Sequence, residues 1–216
     1  MACPLCESTK TVLVFEKEDP TFGRREYFQC LTCKLIGLSS QYFLPFDEEK
    51  KRYDLHRNNP NDQGYVSFLN QLIDPLCGFL KPHSAGLDFG CGPGPTISVL
   101  MKRRGFSIED YDPIYFPDEK ILNKKYDFIT ATEVVEHFHQ PRQEFIQLNK
   151  MLKPSGKIGL MTYLYDDINQ FQKGWYHQDP THVSFYHRET MEWIAKWLNW
   201  KAEHITKRVV IYSKAE

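Results

Sequence analysis

The stretch LDFGCGPG, residues 87–94, carries the clearest structural signal in this chain. An apolar run reaches the acidic residue Asp88, and a turn with glycines at alternate positions then leads into a segment compatible with a helix. Glycine adopts positive φ and has no Cβ, so such a turn can bring its backbone close to a flat ligand. The stretch is therefore typical of a strand, loop and helix that bind a nucleotide.

Strands and helices alternate on both sides of this turn. In chain order the pattern predicts a helix over 64–79, a strand over 85–89, a helix over 96–104, a strand near 108–113, a strand from 126, a helix near 145–152, a strand over 157–163, a helix over 188–198 and an antiparallel pair at 202–206 and 209–213. This alternation predicts an α/β fold with a doubly wound, mainly parallel sheet.

A second acidic residue stands where the next strand should end. Asp112 lies 24 residues after Asp88 and directly before Pro113, which marks a turn. In nucleotide-binding α/β sheets, an acidic residue about 20 positions beyond the glycines hydrogen-bonds the ribose hydroxyls. The position favours Asp112 over Asp110 as a ribose ligand, with a solvated loop carboxylate as the alternative.

Four motifs occur in the order and spacing of class I S-adenosylmethionine (SAM) methyltransferases, which the chain resembles over residues 85–215. They are the glycine turn, the Tyr-Asp-Pro turn at Asp112, YDFITATEVVEHF at 126–138 and LNKMLKPSGKIGLMT at 148–162. The resemblance implies SAM as cofactor, with the glycine turn at its methionine part and Asp112 at its ribose. The implied SAM-binding residues are Asp88, Phe89, Gly90, Cys91, Gly92, Gly94, Asp112, Thr132 and Glu133.

One part of the chain departs from that family. Only 13 residues separate Asp112 from Tyr126, where the family usually has a helix and a strand with an adenine-contacting acidic residue. We expect this element to be truncated. Tyr115, Phe116 and Asp118 are candidates to cover the adenine, and an ordinary core role for the aromatic residues is the alternative.

Two Cys-x-x-Cys pairs stand near the start of the chain, Cys3 with Cys6 and Cys30 with Cys33. Two such pairs supply the four thiolates of a tetrahedral zinc site, and strand-like runs between them complete the pattern of a zinc ribbon. So short a segment cannot bury a core alone, whereas structural zinc contributes roughly 10–16 kcal/mol. A redox pair and free thiols are the alternatives to structural Zn²⁺.

The polar segment WYHQDPTHVSFYH, residues 175–187, should overhang the carboxyl edge of the sheet. His177 and His182 are candidate catalytic residues because histidine titrates near neutrality, and Asp179 could orient one of them. A loop of packing aromatics and hydrogen-bonded histidines is the alternative. The segment could also suggest a two-histidine, one-carboxylate iron site, which the α/β context disfavours.

The organisation predicted from these motifs has three parts: a zinc ribbon over 1–38, a connecting segment with a helix over 39–82 and a SAM-binding domain over 83–216. Within the connection, residues 52–59 and 62–65 are dense in hydrogen-bonding groups. They form either a cap over the cofactor cleft or a polar linker.

Bulk composition narrows the classes of function. The chain has 216 residues, of which 41% are hydrophobic and 25% charged, as in soluble globular proteins. A net charge of −1 gives no global basic field for nucleic acid. Without a long apolar run or a signal-peptide core, we expect no membrane partner, and six cysteines in such a chain indicate a reducing, cytoplasmic location.

The leading hypothesis is a SAM-dependent methyltransferase that acts on a small molecule. The first alternative is a zinc-ribbon RNA methyltransferase, because GYVSFL at 64–69 partly resembles ribosomal-RNA guanine methyltransferases that carry an N-terminal zinc module. The second is a non-catalytic scaffold with a SAM-type fold. The acceptor, the methylated atom and the oligomeric state stay open at this point.

Overall fold

A six-stranded sheet runs through the centre of the computed structural model, which describes residues 1–56 and 58–216. The strands and helices are β1 (Thr11–Asp19), β2 (Gly23–Cys30), β3 (Ile36–Leu38), α1 (Phe46–Tyr53), α2 (Gln63–Cys77), β4 (Ala85–Phe89), α3 (Thr96–Arg103), β5 (Ser107–Tyr111), β6 (Tyr126–Thr132), α4 (Pro141–Met151), β7 (Leu152–Met161), β8 (Leu164–Tyr165), α5 (Ile168–Lys173), β9 (Ser184–His187), α6 (Arg188–Leu198), β10 (Trp200–Ile205) and β11 (Val209–Lys214). The predicted alternation is confirmed, and β3, α1, β8, α5 and β9 lie outside the predicted elements.

The central sheet has the strand order β10-β11-β7-β6-β4-β5. The strands β7, β6, β4 and β5 run parallel to one another. β11 pairs antiparallel with β7, and β10 pairs antiparallel with β11 and forms the opposite edge of the sheet. Residues of β11 alternate between two buried clusters: Val209 and Ile211 pack with α2 and α3, while Val210 and Tyr212 pack with α4 and α6. Helices thus cover both faces, which confirms the doubly wound, mainly parallel sheet.

The connection from β5 to β6 is short. Within the described stretch from Asp112 to Tyr126, a 3₁₀ turn at Ile121–Asn123 is the one helical element, and β5 forms the edge of the sheet. The truncation expected from the spacing is therefore confirmed. As a result, the carboxyl ends of β5, β4 and β6 meet at one edge without a further strand beside them.

A second sheet, with the order β1-β2-β3-β9-β8, ties the N-terminal segment to the rest of the chain. β3 pairs antiparallel with β9, with Ile36 opposite Phe185 and Gly37 opposite Ser184. Cys3, Cys30 and Cys33 belong to the same buried cluster as residues of the central sheet. The cysteine-bearing segment therefore packs directly against the α/β core.

The longest helix is α2, with 15 residues. Asp62 caps it by accepting hydrogen bonds from Gly64 N and Tyr65 N, and it ends two residues after Pro75, earlier than predicted. Among the described residues, no helix has both the length and the apolarity needed to cross a bilayer.

Replacing Gly86 in β4 tests the close packing of the central sheet. A Cβ at this position would lie 2.2 Å from the buried ring of Phe128, so we expect Gly86→Ala to lower the free energy of unfolding by about 1–3 kcal/mol. Gly37→Ala in β3 is the matched control, because its Cβ would meet its nearest neighbours at an ordinary 3.7 Å. Urea unfolding of both variants checks this, and equal stabilities would contradict it.

Candidate active site

The glycine turn after β4 presents backbone at the carboxyl edge of the sheet. Gly90 and Gly92 have φ angles of 74° and 64°, which favour glycine. A Cβ on Gly90 would lie 2.6 Å from the side chain of Val134, and one on Gly94 would lie 2.6 Å from the carbonyl oxygen of Asn58. The glycine spacing thus lets the turn fit between the segment after β6 and the segment before α2.

Two cavities meet at this turn. The first, of about 280 Å³, is lined by Asp88 and His182 among others, and the second, of about 400 Å³, by Asp112 and Phe138 among others. Among the described residues, the two share His56, Gly90, Gly92, Glu133 and His137 in their linings. Two chambers on either side of one turn suit a long ligand with chemically different ends.

Most of the expected SAM-binding residues line these cavities. Asp88, Gly90, Cys91, Gly92, Thr132 and Glu133 line the first, and Phe89, Asp112 and again Gly90, Gly92 and Glu133 line the second. Gly94 packs instead against Asn58, as described above. Burial raises the pKa of the Cys91 thiol, so this side chain stays a small neutral group at the turn.

Backbone donors hold the Asp112 carboxylate at the second cavity. It accepts hydrogen bonds from Gly92 N at 3.0 Å and from the amides of residues 114 and 115 at 2.8 and 3.1 Å. Asp110 instead accepts a hydrogen bond from Ser98 Oγ at 3.1 Å. The structure therefore separates the two ribose candidates and brings Asp112 to the cavity.

Tyr115 is the adenine candidate that lines the second cavity. Its hydroxyl donates to Asp54 Oδ1 at 2.6 Å, which ties the short β5–β6 connection to the end of α1. Phe116 is 38% exposed and Asp118 is also exposed, and among the described lining residues neither occurs.

The segment considered as a cap does lie over the cleft. Tyr53 lines the second cavity, Asn58 and Tyr65 line the first, and His56 lines both. Arg57, which belongs to the same prediction, lies outside the described residues.

The carboxyl groups of Asp88 and Glu133 line the first cavity, and that of Glu136 is buried nearby. Asp88 accepts a hydrogen bond from Thr130 Oγ1 at 2.8 Å, yet burial raises its pKa to about 7. Glu133 follows β6 with a φ of 52°, and burial raises its pKa to about 7 as well. Glu136 is fully buried, with its pKa raised to about 8 by burial and by Glu133, and accepts a hydrogen bond from the Tyr176 hydroxyl.

The structure separates the two candidate catalytic histidines. His182 lines the first cavity, and burial lowers its pKa. His177 is packed against the rings of Phe15, Tyr27 and Phe171, outside both cavities. The structure therefore places His177 away from both cavities: aromatic packing from the N-terminal hairpin of β1 and β2, which local sequence does not reveal, buries this ring.

The N-terminal hairpin of β1 and β2, together with β3, also supports the segment that carries His182. Arg25 Nη2 donates to the carbonyl of Pro180 at 2.8 Å, Lys17 Nζ donates to that of His177 at 2.9 Å, and Leu38 N donates to that of Val183 at 2.9 Å. These contacts fix a stretch of mostly irregular backbone against the cavity.

Sequence reasoning assigned no role to Glu136 or His137. His137 lines both cavities, and its ring centroid lies 4.8 Å from that of His182. The polar spacing Glu-Val-Val-Glu-His directly after a buried strand is the signal that could have found them.

The four N-terminal cysteines converge on one point. Their Sγ atoms all lie within 4.8 Å of one another, with 3.6 Å between Cys3 and Cys33 and 3.4 Å between Cys6 and Cys30. None of the six cysteines among the described residues forms a disulfide. The structure therefore contains a compact cluster of four thiols.

Comparison with known proteins agrees with this arrangement. A methyltransferase-domain family matches residues 60–205, which include the glycine turn, Asp112 and the segment after β6. The chain belongs to this family, and it is a SAM-dependent methyltransferase.

Individual relatives are distant. The chain is 24% identical over 175 residues to the ubiquinone biosynthesis O-methyltransferase of Pectobacterium atrosepticum, with 74% of this chain and 67% of that protein covered. For the Proteus mirabilis enzyme of the same name the identity is 25%, with 61% of this chain and 58% of that protein covered. A solved Pyrococcus horikoshii protein has a similar fold, with a TM-score of 0.51 and 18% identity, and the match covers 76% of this chain and 98% of that one. A Thermotoga maritima SAM-dependent methyltransferase, described as a possible histamine N-methyltransferase, has a TM-score of 0.50 and 14% identity, and the match covers 79% of this chain and 96% of that one.

The buried Asp88 carboxyl predicts a specific pH dependence of stability. Its native pKa of about 7 exceeds its ordinary value of 3.8, so the native state holds the proton more tightly. The resulting stabilisation is complete below pH 3.8 and is lost as the pH rises through 7. Between pH 5 and pH 8, wild type should lose roughly 2–3 kcal/mol of unfolding free energy relative to Asp88→Asn.

Urea unfolding without SAM at the two pH values measures this difference. Glu18→Gln, at an exposed position on β1, is the control and should follow the wild-type profile. A wild type and an Asp88→Asn variant with parallel pH profiles would refute the assignment.

Proposed function

We propose that the protein transfers the methyl group of SAM to an oxygen atom of a small hydroxylated molecule, and that a structural zinc ion supports the acceptor side of the cleft. The observation that carries the proposal is the pair of cavities joined at the glycine turn. Acidic residues line the ends that would face the cationic methionine part and the ribose of SAM.

The first cavity suits the methionine part of SAM. An ammonium and a sulfonium are both cationic, and Asp88 and Glu133 are the carboxyl groups that line this cavity close to the turn. Positive charge nearby favours the ionised form of each carboxyl group. Bound SAM would therefore lower the pKa of both carboxyl groups and favour their ionised forms.

The second cavity suits the adenosine part. The Asp112 carboxylate, oriented by three backbone amides, keeps acceptor capacity for ribose hydroxyls. Phe89, Phe138 and Tyr115 supply apolar surface for a flat ring in the same cavity. Because the usual strand after β5 is missing, Tyr115 takes the outer position beside the ring.

The acceptor would approach beside His137 and His182. Methyl transfer from a sulfonium is an in-line displacement: an acceptor oxygen forms a bond to the methyl carbon, and the C–S electron pair returns to sulfur. Positioning supplies much of the rate, because the donor is already activated. The O-methyltransferase names of the curated relatives support an oxygen acceptor.

The cysteine cluster fits zinc. Tetrahedral Zn–S bonds of about 2.3 Å imply sulfur–sulfur separations of about 3.8 Å, close to the 3.4 and 3.6 Å found here. Four thiolates leave no open coordination position, so the ion would be structural. Thiolate ligands also support the expected cytoplasmic, reducing location.

Exchanging Asp112 tests the cofactor site. Loss of a charged hydrogen-bond acceptor costs about 1.5–3 kcal/mol, so Asp112→Asn should weaken SAM binding about ten- to hundredfold. Asp110→Asn, also at the carboxyl end of β5, should keep SAM affinity within about threefold of wild type. Calorimetry with SAM measures both, and an equal loss in the two variants would remove Asp112 from the ribose site.

Removing a cysteine tests the zinc site. Wild type should carry one zinc per chain by elemental analysis, and Cys33→Ser should lose it together with several kcal/mol of unfolding free energy. Cys77→Ser, outside the cluster, should keep the metal. Wild-type protein without zinc would overturn this part of the proposal.

Methyl transfer itself is tested with SAM labelled in the methyl group and a fractionated cell extract. Label should enter the low-molecular-weight fraction and should fall with Asp112→Asn. Label that enters only the RNA fraction and is released by ribonuclease would favour the nucleic-acid alternative. Absence of transfer to any fraction, despite SAM binding, would reject the proposed function.

A further inference from the structure

Glu136, His137 and His182 form a cluster of ligand-type groups that methyl-donor binding does not use. One carboxylate oxygen and one nitrogen from each ring all lie within 4.8 Å of one another. Glu136 and His137 belong to the 3₁₀ turn Val135–His137 after β6, and His182 comes from the segment before β9. Val183 N donates to the Glu136 carbonyl at 2.9 Å and locks the two segments together.

The hydrogen bonds of the two histidines leave a lone pair on each ring. Nδ1 of His137 lies 3.1 Å from the carbonyl oxygen of Thr181, and Nδ1 of His182 lies 2.7 Å from that of Tyr176. A carbonyl oxygen only accepts, so each Nδ1 carries the proton and each Nε2 is the free base. Backbone carbonyls orient metal-binding histidines in the same way.

Glu136 provides a second, independent observation. Its side chain is fully buried, and one of its oxygens, Oε2, has no hydrogen-bond partner among the described residues. The neighbouring Glu133 Oε1 also has no hydrogen-bond partner in the described part of the chain, but it has the Arg208 guanidinium at 3.8 Å as a cationic partner. Buried carboxylates are normally paired with cations or bound to metals.

We propose that Glu136, His137 and His182 bind one divalent first-row transition-metal ion that holds the acceptor oxygen, with His137 and His182 lining the first cavity and Glu136 fully buried beside them. Mixed imidazole and carboxylate ligands suit Mn²⁺, Fe²⁺, Co²⁺ or Zn²⁺, and three protein ligands leave positions for water or for an acceptor hydroxyl. Rigid support of both histidines by backbone carbonyls gives the site fixed geometry.

The role in the reaction rests on the proposed function. An acceptor hydroxyl bound to the ion loses its proton more readily, and the proton passes to solvent water. The resulting oxygen anion attacks the SAM methyl carbon, the C–O bond forms, and the C–S pair returns to sulfur. The products are the methyl ether and S-adenosylhomocysteine.

Manganese binding tests the site without SAM or acceptor. Mn²⁺ is added to protein that carries one zinc per chain, so that the four thiolates are occupied and the second cluster is free of zinc. The signal of free Mn²⁺ is followed by electron paramagnetic resonance, and hard Mn²⁺ does not compete for the four thiolates. Wild type should bind one Mn²⁺ per chain. Glu136→Gln and His182→Asn should each weaken binding at least tenfold, whereas His204→Gln on β10 should bind as wild type does.

A pulsed measurement on bound Mn²⁺ in wild type should also detect coupling to imidazole nitrogen, which needs no variant. No bound Mn²⁺ in wild type, no nitrogen coupling, or unchanged binding in folded Glu136→Gln and His182→Asn would each overturn the site. Because SAM is absent from this titration, a failure here leaves the calorimetric and methyl-transfer tests of the proposed function unaffected.

Discussion

The buried guanidinium of Arg25 makes the contact on which the acceptor side of the cleft depends. It reaches from β2 to the carbonyl of Pro180 and lies almost fully inside the protein. Irregular backbone keeps its shape only when its polar groups find partners, and Arg25 with Lys17 supplies donors that the 175–183 segment cannot provide itself. The position of His182 at the cavity is therefore a property of the N-terminal hairpin as much as of its own segment.

The two halves of the cleft thus come from different sheets. The central sheet supplies the glycine turn, Asp88 and Asp112, while the second sheet holds the segment with Asp179 and His182. Glu136 lies at the junction, because its carbonyl receives Val183 N and its carboxylate receives the Tyr176 hydroxyl.

Sequence predicts those parts of the candidate site whose position depends on the local conformation of the backbone. Gly90 and Gly92 have positive φ, and Asp112 follows a strand at a set number of residues from them, so residue spacing together with the family resemblance pointed to both. His177 and His182 looked equivalent, since both are histidines in one polar segment. Their difference arises from packing against Phe15 and Tyr27, some 150 residues away in the chain. For the same reason α1 and β9 escaped prediction, as their partners are distant in sequence.

The large distance along the chain between contacting residues of the second sheet and the 175–183 segment has a consequence for how the protein folds. Pairing of β4 with β6 joins Asp88 to Thr130, 42 residues apart, whereas Arg25 and Pro180 are 155 residues apart. Closing a longer loop costs more chain entropy, and contacts of large sequence separation slow folding. We expect the central sheet to form first and the β3–β9 pairing to follow. A chain caught between these stages would already have the glycine turn for SAM but no ordered wall against which an acceptor could bind.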